Sequence, residues 1–321
     1  MSRMALPICL AAVLLAHPAA YAQDVEAIVD AQGAAAGKPP GVRASNAKGM
    51  CVRGLFTPSA EAAAMSKAPI FAQPTPLIAR FAMGGGNPRI ADTVKGATRG
   101  FSMKFEYAGG ETSLLFISAP MFVANTPDQM LAFITVRLPG PNGQPDAAKV
   151  KAFSDANPNT LRQGAWLAAR PVPASFAGVN YWAVQAYTLT NAKNEATVVK
   201  LRTMPKAGDL TLTDDEVKAK PPNFYAEELA TRLRTGPAAF DLVATILQPG
   251  DVTNDSTVAT PDGRKETTLG AIAIAEIIDN GICDAGTFDP VMVPEGMAGP
   301  ADDPLFEIRS LAYAISLSRR Q

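Results

Sequence analysis

The sequence predicts one α+β domain built on an antiparallel sheet or barrel. Runs of apolar or alternating residues recur through the middle of the chain between Gly, Asn and Pro turns, two of them are joined as a hairpin, and capped helices intervene with no repeat of fixed period. The strand runs are residues 75–82, 99–107, 112–117, 181–190, 196–202, 239–247 and 267–277. The hairpin is the clearest, because Asn191-Ala192-Lys193-Asn194 separates two alternating segments, each with one face in and one out.

At the start, Arg3, an apolar run from Ala5 to Leu15, and Ala20-Tyr21-Ala22 before Gln23 form the pattern of a secretory leader over residues 1–22. The apolar run is too short to span a membrane, and Cys9 follows Pro7-Ile8 and not the small residue a lipid-anchoring site needs. The expectation is export to the periplasm, removal of the leader after Ala22, and a single domain over residues 23–321. Residues 23–38 are small and Ala-rich and end at Pro39-Pro40-Gly41, as a helix or arm would.

Helices are expected over residues 126–137, 146–156 and 223–234, opened by the potential caps Thr126, Asp146 and Asn223. The last helix has Asp303 as its cap, Pro304 at its first position, and an apolar stripe of Leu305, Ile308, Ala312 and Ile315. Asp302 and Asp303 are adjacent carboxylates whose side chains diverge, so capping is preferred to paired acid–base catalysis.

Composition excludes several functions. With 29 basic and 30 acidic residues, net charge −1, nothing favours nucleic acid or an anionic membrane surface. The only histidine, His17, lies in the leader, which removes imidazole zinc sites and Ser-His-Asp hydrolysis from the mature chain. Cys51 and Cys283 can form a disulfide after export or remain two buried thiols.

Arg309 and Tyr313 are four apart on the last helix, so the guanidinium can lie against the phenol oxygen. A phenolate at neutral pH needs a cation nearby and a metal bound to it; a core tyrosine beside a surface arginine is the simpler reading of the spacing alone.

Arg309-Ser310-Leu311-Ala312-Tyr313 resembles the Arg-x-x-x-Tyr of haem catalases, whose tyrosine is the proximal iron ligand. Residues 43–49, Arg-Ala-Ser-Asn-Ala-Lys-Gly, are similar to the distal catalase segment Arg-x-x-His-Ala-Lys-Gly with Asn46 in place of histidine. Gly86-Asn87-Pro88, Ala91-Asp92-Thr93, residues 99–105, Ala119-Pro120-Met121-Phe122 and the hairpin follow in the family's order. Residues 288–296 and Asp302-Asp303-Pro304-Leu305 resemble the small catalase-related peroxidases in particular.

This resemblance implies a β-barrel with flanking helices and haem b between the barrel and the C-terminal helix. It also implies hydrogen peroxide and a small organic reductant as substrates, and a monomer or small homo-oligomer. Tyr313 would be the iron ligand and Arg309 its partner. Arg43, Arg99 and Arg320 match positions for the haem propionates, while Phe122 and Phe133 are candidates for an aromatic wall.

Two departures bear on the implied activity. An amide at Asn46 cannot take a proton from peroxide and return it, a function worth about 10²–10⁴-fold. Where catalases carry an Asn-Asn pair this chain has Ile117-Ser118, leaving Ser118 as the one polar donor of that pair. The alternative to an impaired peroxidase is a haem-binding pseudoenzyme for storage, transport or sensing. No nucleotide site is expected.

Overall fold

The computed structural model describes residues 18–321, with side chains from Asp24 onward. Residues 1–17 of the leader expected over 1–22, His17 included, lie outside them, and residues 18–22 are helical. Eight antiparallel strands form the body: β1 (Gly49–Pro58), β2 (Thr75–Met83), β3 (Arg99–Tyr107), β4 (Gly110–Ile117), β5 (Tyr181–Thr190), β6 (Ala196–Pro205), β7 (Ala238–Ile246) and β8 (Glu266–Ile277). Their spatial order is β4-β3-β2-β1-β8-β7-β6-β5, and β5 returns to β4 through Ile117 and Trp182, so two four-stranded meanders close into one barrel. A two-residue strand, β9 (Met297–Ala298), adds to β5.

Strand β1 is absent from the expected set. Its register against β8 shifts between Arg53 and Gly54, which breaks the alternation that marks the other strands. Gly54 permits the approach: a Cβ there would lie 2.3 Å from the Ala273 carbonyl oxygen of β8.

Inward side chains fill the barrel. Phe81 stacks on Phe101 at 4.4 Å and on Phe176 at 5.3 Å, and Phe240 meets Phe101 at 5.1 Å. A barrel of this strand number has room for side chains and little else, so a large ligand must bind on its outside.

Helices α1 (Pro18–Ala35), α2 (Ala60–Met65), α3 (Pro127–Thr135), α4 (Ala147–Ala156), α5 (Arg162–Ala168), α6 (Asp214–Ala219), α7 (Phe224–Leu233), α8 (Asn280–Asp284), α9 (Pro304–Glu307) and α10 (Arg309–Ser318) flank the barrel. Val25 and Ile28 of α1, Ile134 of α3, and Leu305 and Ile308 pack as a second apolar cluster over the barrel wall. Thr126 and Asp146 cap their helices as expected, whereas the Asn223 side chain caps nothing and accepts from Lys48 Nζ at 2.8 Å.

The expected last helix is divided. Asp303 accepts from the backbone N–H groups of Leu305 (2.9 Å) and Phe306 (3.2 Å), opening α9, which ends at Glu307; Ile308, still in the right-handed helical region at φ −74° and ψ −11°, joins it to α10, which begins at Arg309. Asp302 takes no part in the cap and bonds Asn254. Cys51 and Cys283 are joined as a disulfide, Cα–Cα 5.7 Å, which ties α8 to β1.

Candidate functional site

A cavity of about 230 Å³ lies between the outer face of β2–β5 and helices α1, α3 and α10. The pleat explains its wall. Phe81, Phe101 and Tyr181 point into the barrel, so Ala82, Gly100, Ser102 and Trp182 point out and line the cavity. Ile28, Phe122, Leu305 and Ala312 supply most of the opposite, apolar side.

Tyr313 projects from α10 into this space. Its hydroxyl accepts from Arg309 Nε at 3.1 Å and Nη2 at 2.8 Å, while Arg309 Nη1 donates to Gln185 Oε1 at 2.6 Å. Burial works against the Arg309 charge, but the Tyr313 and Tyr187 phenols, its hydrogen bonds to Tyr313 and the nearby Asp303 outweigh it and hold its pKa above the ordinary value. The guanidinium is fixed at both ends and presents its charge to one oxygen.

Three arginines converge at another part of the same cavity: Arg43, Arg80 and Arg320. Arg43 donates to the Cys283 carbonyl at 2.5 Å and pairs with Asp284 at 3.2 Å; Arg320 donates to the Gly286 carbonyl at 2.8 Å. Arg80 donates to the backbone oxygens of Asn46 (2.7 Å) and Ala47 (3.1 Å). Burial lowers the pKa of all three. Repulsion from Arg43 adds to it for Arg80 and for Arg320, which both fall to about 10. Asp284 is the carboxylate that opposes this excess, and Arg320 Nε is buried without an acceptor among the described residues. Such a cluster is complementary to carboxylates, which guanidinium forks bind in pairs.

Arg99, expected beside Arg43 and Arg320, is not part of this group. It shares the inward parity of Phe101, and its donors bond the carbonyls of Asp92 and Ala97 and the Tyr225 hydroxyl. Arg80 is the third arginine instead. Its one sequence signal is a lone charge on an apolar strand, and it pairs in register with Ser102, another cavity residue.

Asn46 lines the cavity and has φ +54°, a left-handed conformation that asparagine tolerates better than most residues. Ser118 does not reach it: its hydroxyl accepts from the Arg99 N–H at 2.8 Å on the inward side. Lys48 is held by Asp92 at 2.6 Å. Phe122 lines the cavity, but Phe133 packs away from it against Phe153 and beneath the Arg137 guanidinium, 3.8 Å from the ring centre. Among the described residues, no Asp, Glu, His or Lys side chain lines the cavity.

The donor set fits haem b. The walls are apolar, the arginines match a carboxylate-bearing edge, and the Tyr313 oxygen is a candidate ligand backed by a fixed cation. Among the described residues no group of three or more His, Cys, Asp or Glu could hold a metal unaided, so an ion beside Tyr313 needs ligands from a prosthetic group.

The family model described as catalase matches residues 40–320. A catalase-related peroxidase of Synechococcus elongatus is 33% identical over 285 residues, 87% of this chain and 84% of that protein. One from Mycolicibacterium paratuberculosis is 31% identical over 299 residues, 91% of this chain and 93% of its own length. The crystal structure of a fungal catalase superposes with a TM-score of 0.76 at 20% identity; the match covers 87% of this chain and 59% of the fungal one, and the likeness is one of fold.

Proposed function

The chain belongs to the catalase family, and on that premise we propose that it is an exported haem-dependent peroxidase that reduces hydrogen peroxide with a small organic donor, slowed by the loss of its distal base. The observation that carries the reading is the Arg309 fork on the Tyr313 hydroxyl, opening into a cavity that also gathers Arg43, Arg80 and Arg320.

Haem b, when bound, supplies the redox-active iron on which peroxide is reduced to two waters by two one-electron donors. Tyr313 would hold the iron through its phenol oxygen, on which Arg309 keeps a positive charge and two N–H donors. Arg43, Arg80 and Arg320 would hold its propionates, and the apolar side with Phe122 would keep water from the ring.

On the distal side Asn46 can donate an amide hydrogen bond to peroxide but cannot carry its proton. With no carboxylate, imidazole or ammonium among the described residues of the cavity wall, that proton would have to move through water. The same observation favours a second reading, in which the protein binds haem for storage, transport or sensing and does not turn peroxide over. The Cys51–Cys283 disulfide supports export, since such bonds persist in oxidising compartments.

The test is an absorption spectrum of the haem-loaded mature protein before and after peroxide. A Soret band of tyrosinate-ligated ferric haem that shifts with peroxide is expected for a peroxidase, and an unshifted band for the pseudoenzyme. The same band in Tyr313→Phe would overturn the ligand assignment.

A further inference from the structure

The chain contains two tryptophans, and they touch. Trp182 on β5 lines the cavity; Trp166 on α5 meets it edge to face, ring centres 5.4 Å apart, and is itself half-buried. Neither indole N–H has a protein acceptor among the described residues, and Trp166 packs against the small apolar cluster of Ala119, Met121 and Leu167. The exposed Arg162 and Arg170 stand four residues before and after Trp166, and the Arg170 guanidinium lies 3.2 Å from its ring centre.

We propose that Trp182 and Trp166 form an electron relay from the cavity to a surface oxidation site, which takes aromatic donors too large to enter, especially those bearing an anionic group. The inference rests on the peroxidase reading above. Indole is among the most readily oxidised side chains, and van der Waals contact between the two rings gives a short path. Each donor gives one electron to Trp166, a phenolic donor also releasing its proton to water; Trp166 passes an electron to Trp182, and Trp182 to the oxidised centre in the cavity. Two electrons from two donors, with two protons taken up from water, thus reduce one hydrogen peroxide to two waters, and the donors leave as two radicals. The flanking guanidiniums attract an anionic aromatic, one face of which can stack on Arg170 or the indole edge.

The test uses the haem-loaded full chain, hydrogen peroxide, and two donors: guaiacol, small and neutral, and ABTS, bulky and disulfonated. Trp166→Phe keeps most of the local packing and should lower kcat/KM for ABTS by about tenfold or more while guaiacol stays within about twofold. In a separate readout, the protein is treated with peroxide and a nitroso spin trap without donor, and the adduct is located by peptide mass mapping. It is expected on Trp166 in the wild type and absent from Trp166 in Trp182→Phe. ABTS oxidation unchanged in Trp166→Phe, or an adduct on Trp166 that survives Trp182→Phe, overturns the relay. A wild type that oxidises neither donor overturns the peroxidase reading and the relay with it, whereas guaiacol turnover with ABTS unaffected by either substitution overturns the relay alone.

Discussion

Replacing Arg80 with methionine separates two effects that the native side chain combines. The guanidinium is 6% exposed, and burial followed by repulsion from Arg43 and Arg320 takes its pKa from 12.5 to about 10. That fall corresponds to about 3 kcal/mol spent on keeping the charge in the haem-free protein. Because the folded value is the lower one, the cost is fully present below pH about 10 and is relieved only as pH rises through it. Opposing it are hydrogen bonds to the Asn46 and Ala47 carbonyls, each worth about 1.5–3 kcal/mol from a charged donor. The two effects nearly cancel, so the urea stability of the haem-free variant should stay within about 2 kcal/mol of wild type. Haem affinity, measured by Soret titration, should fall by about 30-fold, since losing one partner of a buried carboxylate pair costs about 2 kcal/mol or more. A variant much less stable but unchanged in haem affinity would show that Arg80 clamps the segment around Asn46 and has no part in binding propionates.

Asn46→His restores a proton carrier in a left-handed position that histidine also tolerates, and peroxide turnover should rise by at least about tenfold; no gain would mean that further groups are missing. Removing both cysteines, Cys51→Ser with Cys283→Ser, opens a loop spanning 232 residues of sequence and should lower urea stability by about 5 kcal/mol on the chain-entropy estimate, with no effect of reductant on the variant. The Arg264 hydrogen bonds, then the Gln248 N–H, hold the Asp251 carboxyl at about 2, so its stabilisation is present above pH about 4 and is lost as pH falls through about 2. Arg264→Met should flatten the urea midpoint over that range, and parallel pH curves for the two proteins would contradict the assignment.

The strands were legible because their alternation reports a half-buried face: the expected 99–107 and 181–190 coincide with β3 and β5. Strand β1 was not, since Gly54 and the register shift beside it interrupt the alternation at the point where backbone contact with β8 replaces side-chain packing. The same period of two explains the misplaced site residues. Arg99 and Ser118 share parity with Phe101 and Phe116 and so belong to the barrel side, whereas Arg80 and Ser102 face the cavity. A linear motif marks a segment, but which side of the sheet receives a side chain depends on counting from a residue known to be inside. Arg309 and Tyr313 needed no such count, because four residues along a helix bring both to one face. The aromatic wall was half legible: Phe122 and Phe133 look alike in sequence, and only the direction of α3 sends the second toward Phe153.

Every neighbouring pair around the barrel except one is stitched by a ladder of several residues; β4 and β5 meet at Ile117 and Trp182 alone, and β5 then slips register against β6 before Ala186. A cylinder closed in this way has a seam, and thermal breathing concentrates where the fewest hydrogen bonds must break. That seam runs along the wall of the cavity, and on its inner side the two meanders are held together by ring contacts, Tyr181 of β5 lying 5.5 Å from Phe101 of β3. Amide protons near residues 117 and 182–184 should exchange well ahead of those between β1 and β8, so side-chain packing, more than backbone pairing, closes the barrel beside the cavity.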